Sequence, residues 1–424
     1  MNVTGIEAGT RSRAFADGAA ASVRGNLRVL SLSCVYPNAA EPNLGVFVRS
    51  RLRHLAELAD VKVVAPVPQI DYARSRISWR GVPRREWDGP IEILRPAWLY
   101  PPGGYTANSL FLFARLLPLA AGVRARYDFD IIDAHFAFPD GIAASLLGCA
   151  LKAPFAVTLR GNETMHAQYS QRRKLMAWSL RRAAAVIALS EELRQFALSL
   201  GVANERIRVI PNGIEAGIFY PRDRALCRRK HGVPAEAKVV VSAGSLIERK
   251  GHHRVIQALA QLVEKGLNAQ LLIVGGAGRE GRYEDQLRSR VADLRLGDRV
   301  RFTGEVSPEE LAELMSASDV FCLASSREGW PNVVHEALSC GLPVVATRVG
   351  AIPDMIPSRD YGFAVAVGDA LALECALEEA LRIDWDRRKI CARAQARTWS
   401  QSAQEVYAFL RERTPPARAG KGAR

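Results

Sequence analysis

The sequence predicts an α/β protein made of two Rossmann-like units, each with a parallel sheet covered by helices on both faces. Short apolar strands alternate with stretches of helical pattern, which is typical of parallel sheets. The first unit opens on a strand at residues 27–32, and the alternation starts again at residues 238–242. The chain has 424 residues, too many for one ordinary core. We therefore expect two domains whose sheets face each other across a cleft.

The predicted boundary between the two units lies near residues 211–221, which begin and end on proline. The chain starts with an Ala-, Gly-, Ser- and Arg-rich stretch that has no continuous apolar core, and it ends in Pro, Ala, Gly, Lys and Arg. Both ends are predicted to be disordered. The predicted segments are a disordered lead-in (1–25), a first domain (26–215), a second domain (216–400), a helix returning to the first domain (401–414) and a disordered tail (415–424).

The chain is basic, with a net charge of +14 and an isoelectric point of about 9.7. Such an excess attracts nucleic acid, anionic membranes or phosphorylated substrates, or it simply keeps the surface solvated. Seven scattered cysteines, none in a C-x-x-C pair, indicate reduced thiols in a cytosolic protein. The longest apolar run, residues 109–123, is broken by Arg115 and Pro118 and is too short to span a bilayer. We expect a cytoplasmic protein, and peripheral contact with the inner face of a membrane stays open.

The stretch from Ser326 to Leu338 combines the features of an anion site with two carboxylates. It follows a strand, and Pro331 suits the first position of a helix that we expect to end at Ser339. The free N–H groups and positive dipole at such a helix start bind anions such as a diphosphate. Glu328 and Glu336 would not help to bind phosphate, but carboxylates accept hydrogen bonds from sugar hydroxyls. The combination favours a sugar nucleotide over the simpler interpretation, an ordinary capped helix with surface glutamates.

The same stretch resembles the signature of a known family. From Glu328 to Thr347 it reads E-G-x-P-x-x-x-x-E-A-x-x-x-G-x-P-V-V-A-T, which looks like retaining GT-B glycosyltransferases of the glycosyl transferases group 1 family (glycosyltransferase family 4-like). The resemblance extends from about Leu27 to Trp399 and is strongest in the second half. It implies the GT-B architecture, a nucleotide-sugar donor on the second domain, an acceptor on the first, and transfer with retention of anomeric configuration.

The resemblance also assigns roles to single residues of the second half. Glu328 would contact hydroxyls of the transferred sugar, and Glu336 would bind the ribose hydroxyls. Groups of the loop after Glu328 would hold the diphosphate or the sugar, and a loop after a neighbouring strand would hold the base. These two loops contribute Gly329, Trp330, Pro331, Asn332, Gly304, Glu305 and Val306.

A second loop, Ala243 to Gly251, would supply the cations that neutralise a leaving diphosphate. Lys250 matches the lysine of the family, but Ser245 stands where the family carries an arginine. Arg249 is a candidate replacement, although adjacent side chains need not point the same way, and a solvated surface charge is an equal alternative. We expect no metal, because no D-x-D or clustered His/Asp/Glu site stands out. Preorganised positive charge would take its place.

Two residues of the first half match cleft positions of the family, and a third is a candidate because it follows a strand. Gly45 resembles the glycine that lets the backbone approach the donor phosphates and acceptor, whereas the simpler interpretation is a turn glycine. His135 follows a strand and matches the histidine that contacts the donor sugar, although a lone histidine is more often structural. Arg160 follows another strand and is a candidate contact for a phosphate or the acceptor.

The acceptor is expected to be a glycan or a lipid-linked molecule in cell-surface polysaccharide or glycolipid synthesis. The stretch Arg74 to Tyr105 is basic and aromatic, which suits an anionic membrane interface and a lipid-linked pyrophosphate. A long surface loop with partly buried aromatic residues is an equal alternative. For the reaction we expect same-face attack in which the leaving phosphate helps to take the acceptor proton, with no protein nucleophile.

Two other function classes stay open. A GT-B nucleotide-sugar epimerase would consume its sugar nucleotide without an acceptor. A non-catalytic nucleotide- or nucleic-acid-binding protein would suit the basic charge. The Lys and Arg residues are dispersed and no nucleic-acid motif is present, so we expect no nucleic-acid partner.

Overall fold

The computed structural model describes residues 26–69, 81–101, 105–277 and 283–414, and the predicted lead-in and tail lie outside these ranges. Strands and helices alternate in two units, which confirms the predicted α/β class. The strands of the first unit are β1 (Arg28–Leu32), β2 (Asp60–Val64), β3 (Val67–Pro68), β4 (Arg85–Asp88), β5 (Ile91–Leu94), β6 (Ala97–Trp98), β7 (Ile131–His135), β8 (Phe155–Leu159), β9 (Ala185–Ala188) and β10 (Ile207–Val209).

The sheet of the first unit has the order β10-β9-β8-β7-β1-β2-β5-β4. Its neighbouring strands are parallel except for the antiparallel edge pair β4 and β5. Because β1 lies between β2 and β7, the strand order changes direction there. The loops that leave β1 and β7 therefore diverge to opposite faces and open a crevice at the carboxyl edge of the sheet.

Helices cover both faces of the first sheet. Residues of the helix that follows β1 share one buried cluster, and residues of the helices that follow β6, β7 and β8 share another on the opposite face. The helices of the first unit are α1 (Val46–Leu55), α2 (Asn108–Arg126), α3 (Ile142–Leu151), α4 (Glu163–His166), α5 (Ser170–Leu180) and α6 (Glu191–Ser199).

The second unit is a parallel sheet with its own core. Its strand order is β13-β12-β11-β14-β15-β16, and β11 lies at the point where that order changes direction. The loops that leave β11 and β14 therefore flank the second crevice. The strands are β11 (Lys238–Ala243), β12 (Ala269–Val274), β13 (Val300–Gly304), β14 (Val320–Leu323), β15 (Val344–Thr347) and β16 (Gly362–Val365).

The last helix that the structure describes crosses back to the first unit. Ala403 and Phe409 are buried in one cluster with Val48 of α1. At the crossing, a Cβ on Gly213 would lie 2.1 Å from the backbone nitrogen of Trp399, so only glycine fits. The helices from the second unit to the chain's described end are α7 (Arg224–Lys230), α8 (His252–Glu264), α9 (Tyr283–Asp293), α10 (Pro308–Ala317), α11 (Asn332–Ser339), α12 (Ile352–Met355), α13 (Ala370–Arg382), α14 (Arg387–Gln395) and α15 (Trp399–Glu412).

The apolar run at residues 109–123 lies within α2, which continues through Pro118. Across the described ranges, no helix combines the length and the apolarity needed to cross a membrane. The basic and aromatic stretch Arg74 to Tyr105 falls partly outside the described residues. Within the described part of that stretch, Trp98 is buried and Trp87 is 60% exposed, so the aromatic residues do not form one uniform surface.

Candidate functional site

Two loops of the second unit meet because they leave neighbouring strands at the crevice. One runs from Gly244 to Gly251 after β11, and the other follows β14 towards α11. A Cβ on Gly251 would lie 2.0 Å from the carbonyl oxygen of Ala324, so the two loops touch through their backbones. Gly251 also has a φ of 74°, in the left-handed region that favours glycine. This contact fixes the cationic side chains beside it against the second loop.

Lys250 and Glu328 form the centre of this contact. The ammonium nitrogen of Lys250 donates to Oε1 of Glu328 at 2.8 Å. The hydroxyl of Ser325 donates to the same oxygen at 2.7 Å. Glu328 is almost fully buried, so these charge-assisted bonds define its orientation.

Arg249 converges on the same carboxylate. Its Nη1 lies 3.4 Å from Oε1 of Glu328 and donates to the carbonyl oxygen of Arg327 at 2.8 Å. Ser245, at the position of the missing arginine, is exposed. Of the two interpretations of Arg249 drawn from sequence, the geometry favours the cation of the site over the solvated surface charge.

The charges around Glu328 keep its carboxylate ionised. Burial raises the pKa of Glu328, but the nearby cations Lys250 and Arg249 and the hydrogen bond from Ser325 outweigh burial, and the pKa lies below its usual value. A buried carboxylate that stays charged can accept two or more hydrogen bonds from hydroxyl groups.

Glu336 differs from Glu328 in its surroundings. Its side chain lies on α11, and within the described part of the chain no hydrogen bond to its carboxylate is present. Burial raises the pKa of Glu336 and the charge of Lys250 lowers it, and the net result is a pKa of about 7. Lys250 therefore influences both carboxylates, which places the two glutamates around one cation.

The amino end of α11 has no side-chain cap. The helix begins at Asn332, one residue later than predicted, because Pro331 has a ψ of 94° and adopts an extended conformation. The uncapped N–H groups carry the positive end of the helix dipole next to the loop of Glu328. A diphosphate is the kind of group that this end accommodates.

Trp330 joins the two units at this loop. Its ring packs against the buried clusters of both units, and it meets the ring of His335 edge-on with centroids 5.7 Å apart. The side chain therefore packs between the two units. The contribution of its backbone to donor binding stays a prediction.

The loop predicted to hold the base lies at the end of β13. Gly304 has a φ of 75° and is exposed together with Glu305, whereas Val306 packs partly against the second core. Nδ2 of Asn43 donates to Oε2 of Glu305 at 3.0 Å. Because Asn43 belongs to the first unit, this bond closes one side of the cleft.

Gly45 opens α1 at the crevice of the first unit. Its φ is 70°, and a Cβ at this position would lie 2.4 Å from the carbonyl oxygen of Val35. The turn therefore requires glycine for structural reasons. This requirement leaves the predicted approach to donor phosphates untested.

His135 is enclosed at the end of β7. Its side chain is fully buried, its Nε2 lies 3.1 Å from the hydroxyl of Ser31, and its Nδ1 accepts from Nη2 of Arg160 at 2.9 Å. Burial and the neighbouring cations Arg160 and Arg51 hold the pKa of His135 well below its usual value. The ring is therefore neutral, and its predicted contact with a donor sugar stays a prediction.

Arg160 links His135 to the start of α11 through Asn212. Its guanidinium carbon lies 5.0 Å from the ring centre of Phe47, and its Nη1 donates to Oδ1 of Asn212 at 3.4 Å. Nδ2 of Asn212 in turn donates to Oδ1 of Asn332, the first residue of α11, at 3.0 Å. A chain of polar contacts thus runs from His135 to the amino end of that helix.

The backbones of the two units touch at a pair of glycines. A Cβ on Gly161 would lie 2.5 Å from Cα of Gly329, and a Cβ on Gly329 would lie 1.9 Å from the carbonyl oxygen of Arg160. Glu163 accepts from the backbone nitrogen of Gly161 at 2.6 Å and fixes this loop. The cleft is therefore closed beside Glu328, and any larger side chain here would push the units apart.

Sequence reasoning did not identify Ser325, Asn212 and Gly161 as parts of the site. Ser325 stands three residues before Glu328, and this spacing is a usable signal because a short loop returns the hydroxyl to the carboxylate. Asn212 and Gly161 act across the cleft, at large sequence separations, and no local pattern indicates their partners.

The sequence predicts a site that works without a metal. Within the described ranges, no group of three or more His, Cys, Asp or Glu residues is placed to hold a metal ion. The cations that the geometry offers for an anionic ligand are Lys250 and Arg249. That the reaction needs no metal stays a prediction.

Sequence profiles of two protein families match the two halves of the chain. The description of the first is Glycosyl transferase 4-like domain, and it matches residues 44–213. The second is Glycosyl transferases group 1, and it matches residues 223–398. The second match contains both glutamates and both cations of the site.

Individual proteins show the same similarity. The N-acetyl-alpha-D-glucosaminyl L-malate synthase of Bacillus anthracis is 28% identical over 290 residues, 67% of this chain and 74% of that protein. A D-inositol 3-phosphate glycosyltransferase of Acidothermus cellulolyticus is 32% identical over 230 residues, 52% of this chain and 51% of that protein. The structure of HepE from Anabaena in complex with UDP-glucose superimposes with a TM-score of 0.69 at 21% identity, over 91% of this chain and 100% of that one.

Proposed function

We propose, from the premise that the chain belongs to the glycosyl transferases group 1 family, that it transfers a sugar from a nucleotide-diphosphate donor to an acceptor hydroxyl. The observation that carries this proposal is the convergence of Lys250 and Arg249 on Glu328 beside the uncapped start of α11. The cations and the helix end suit a diphosphate, and the carboxylates suit sugar hydroxyls. The complex of HepE with UDP-glucose supports a uridine diphosphate sugar as the first donor to test.

The proposed reaction retains the anomeric configuration. The bond between the anomeric carbon and the diphosphate oxygen breaks, and the acceptor oxygen bonds to the same face of that carbon. The acceptor proton passes to an oxygen of the leaving diphosphate. Lys250, Arg249 and the N–H groups of α11 stabilise the negative charge that develops on the diphosphate. Because Glu328 is ion-paired with Lys250, it suits hydroxyl binding better than nucleophilic attack.

The proposed donor contacts follow from the two carboxylates. Glu328 would hold hydroxyls of the transferred sugar, since its carboxylate is ionised and next to the cations. Glu336 would hold the ribose hydroxyls, since its carboxylate has no protein partner among the described residues. Glu305 and its neighbours would border the base through the loop after β13. The protein cations take the place of a metal in this proposal.

For the acceptor we propose a glycan or a lipid-linked molecule of cell-surface polysaccharide or glycolipid synthesis, met at the inner face of the membrane. The acceptor side would be the first unit, at the ends of β1, β7 and β8. Arg160 is a less accessible candidate than its sequence position implied, because it is buried and already contacts His135 and Asn212.

The test is a screen of several radiolabelled nucleotide sugars against polyprenyl-diphosphate glycans, free sugars, L-malate and D-inositol 3-phosphate. The last two are included because relatives are named for them. We expect label to move into one acceptor. Conversion of the sugar nucleotide without an acceptor would instead support an epimerase. Binding of nucleotide with neither conversion nor transfer would support a non-catalytic protein.

A further inference from the structure

The outer face of the first unit carries a surface without acidic residues. This surface is formed by α2, α3 and α5, which pack side by side on the same face of the first sheet. None of the three helices contains Asp or Glu, although α2 and α5 contain six Arg or Lys residues. We call it the basic face. The basic residues of the two helices are Arg115, Arg124, Arg126, Arg172, Arg173 and Lys174.

Apolar side chains project from one end of the basic face. Leu110 and Phe111 in the first turn of α2 are 55% and 41% exposed, and Tyr169 just before α5 is 55% exposed. Leu99, directly after β6, which packs against α2, is 52% exposed. Exposed apolar residues are common singly, but these four lie on or beside helices that carry six cations and no anion.

The fold places these apolar residues at the mouth of the cleft. In a parallel sheet, a helix that follows a strand starts at the carboxyl edge of the sheet and runs back towards the other edge. The starts of α2 and α5 therefore lie on the crevice side, and both helices pack against residues 137–141, which leave β7 there. The exposed acidic residue Asp128 lies beyond the far end of α2, where it pairs with Arg28 and Arg124.

We propose that the basic face docks on an anionic lipid bilayer, with Leu99, Leu110, Phe111 and Tyr169 inserted at the headgroup level. Cations within reach of the surface are attracted to anionic lipids, and apolar side chains add the burial that charge alone does not supply. A nucleic acid would use the cations but would leave the aliphatic side chains in water. Docking in this way turns the mouth of the cleft towards the membrane and fits an acceptor whose lipid stays in the bilayer.

Only the link to a lipid-borne acceptor rests on the proposed function, and docking itself does not require turnover. The basic face is also distinct from the Arg74 to Tyr105 stretch singled out by sequence, of which it shares only Leu99. The two surfaces can therefore be separated by substitution.

The experiment is co-sedimentation of the full chain with vesicles of phosphatidylcholine alone or of phosphatidylcholine with about 30% of the anionic lipid phosphatidylglycerol. Two double variants remove the two parts of the basic face, Leu110→Ser with Phe111→Ser and Arg173→Glu with Lys174→Glu. The matched controls sit on the second unit, where Val367 and Leu371 are exposed apolar residues and Arg359 and Lys389 are exposed cations. These controls are Val367→Ser with Leu371→Ser, and Arg359→Glu with Lys389→Glu.

We expect binding to the anionic vesicles only, with a partition coefficient that falls about tenfold or more in each basic-face variant and less than about twofold in each control. Unchanged circular dichroism and unchanged affinity for UDP would show that the variants are folded. Equal vesicle binding by the basic-face variants and the controls would overturn the proposal. A wild-type protein that binds RNA but no vesicles, with RNA binding lost in the basic-face variants, would overturn it as well. Sugar transfer to a water-soluble acceptor, measured in parallel, separates docking from catalysis. Basic-face variants that lose vesicle binding but keep normal turnover support the proposed docking. A wild-type protein that binds vesicles but transfers no sugar counts only against the proposed function.

Discussion

The ammonium nitrogen of Lys250 lies 2.8 Å from Oε1 of Glu328, and this contact joins the loops that leave β11 and β14. It places a positive charge beside an ionised carboxylate at the point where the strand order of the second sheet changes direction. An incoming diphosphosugar would meet both groups at once, the cation suited to phosphate and the carboxylate suited to hydroxyls.

Replacement of Lys250 by alanine should lower turnover strongly. The substitution removes the cation proposed to stabilise the leaving diphosphate, and loss of one preorganised electrostatic contact costs about 100- to 1,000-fold in kcat. Steady-state kinetics with the productive donor and acceptor measure the effect. Lys265→Ala is the matched control, because Lys265 is an exposed lysine that pairs with Glu374 and Glu378 away from the site. Near-normal kcat in Lys250→Ala would remove Lys250 from the proposed role.

Arg249 is predicted to replace the family arginine that is missing at Ser245. Arg249→Ala should lower kcat about 10- to 100-fold, since hydrogen bonds to charged groups contribute about 1.5–3 kcal/mol. Ser245→Arg in the Arg249→Ala background should restore part of the activity, because residue 245 is exposed in the same loop. No loss in the single variant, or no recovery in the double variant, would argue that Arg249 serves only to hold the carbonyl of Arg327.

Glu336 should make nucleotide affinity dependent on pH. Burial raises its carboxyl pKa to about 7, so the group is protonated at pH 6 and ionised at pH 8. The ionised form accepts ribose hydroxyls better, and affinity should therefore rise with pH and level off above the pKa. Calorimetry with UDP-glucose suits this test because its diphosphate is esterified and does not titrate near pH 7. We expect a change of up to about tenfold per pH unit below the pKa.

Two variants control the pH experiment. Glu336→Gln should bind more weakly than the wild type at pH 8 and should lose the pH dependence. Glu336→Ala should weaken nucleotide binding at every pH. Affinity of the wild type that stays flat between pH 6 and pH 8, or unchanged affinity in Glu336→Ala, would exclude the ribose assignment.

Gly161 is predicted to control closure of the cleft. A Cβ there would lie 2.5 Å from Cα of Gly329, so Gly161→Ala should keep the units apart. We expect kcat to fall about tenfold or more, since small displacements of reacting groups are costly, while nucleotide affinity changes little. Gly232→Ala is the control, because Gly232 also has a positive φ but a Cβ there meets nothing within 4 Å. Equal kcat in the two variants would contradict a role for this contact.

The sequence was sufficient for the fold class and the family, both of which are confirmed. Both could be predicted because their signals are local in the chain: the alternating strands, and the glycines and prolines between Glu328 and Thr347 that determine the turns of one segment. It was also sufficient for the approximate start of α11. The offset of one residue at Pro331 is the usual uncertainty of helix ends.

The contacts across the cleft could not be predicted from the sequence. Gly161 and Gly329, or Asn212 and Asn332, are distant in the chain, and their pairing depends on how two complete units pack. The direction of Arg249 was undecided for a similar reason, because it depends on the turn that ends at Gly251. The enclosure of His135 likewise follows from packing, which a motif does not encode. The roles of the single site residues stay predictions that the variants above address.

The central claim, retaining transfer from a nucleotide sugar, is tested most directly by the anomeric configuration of the first isolated product. The wild-type protein is incubated with an α-linked uridine diphosphate sugar and the acceptor found in the screen, and the product is analysed by proton NMR. We predict a new glycosidic bond of α configuration. A β-linked product would contradict the account.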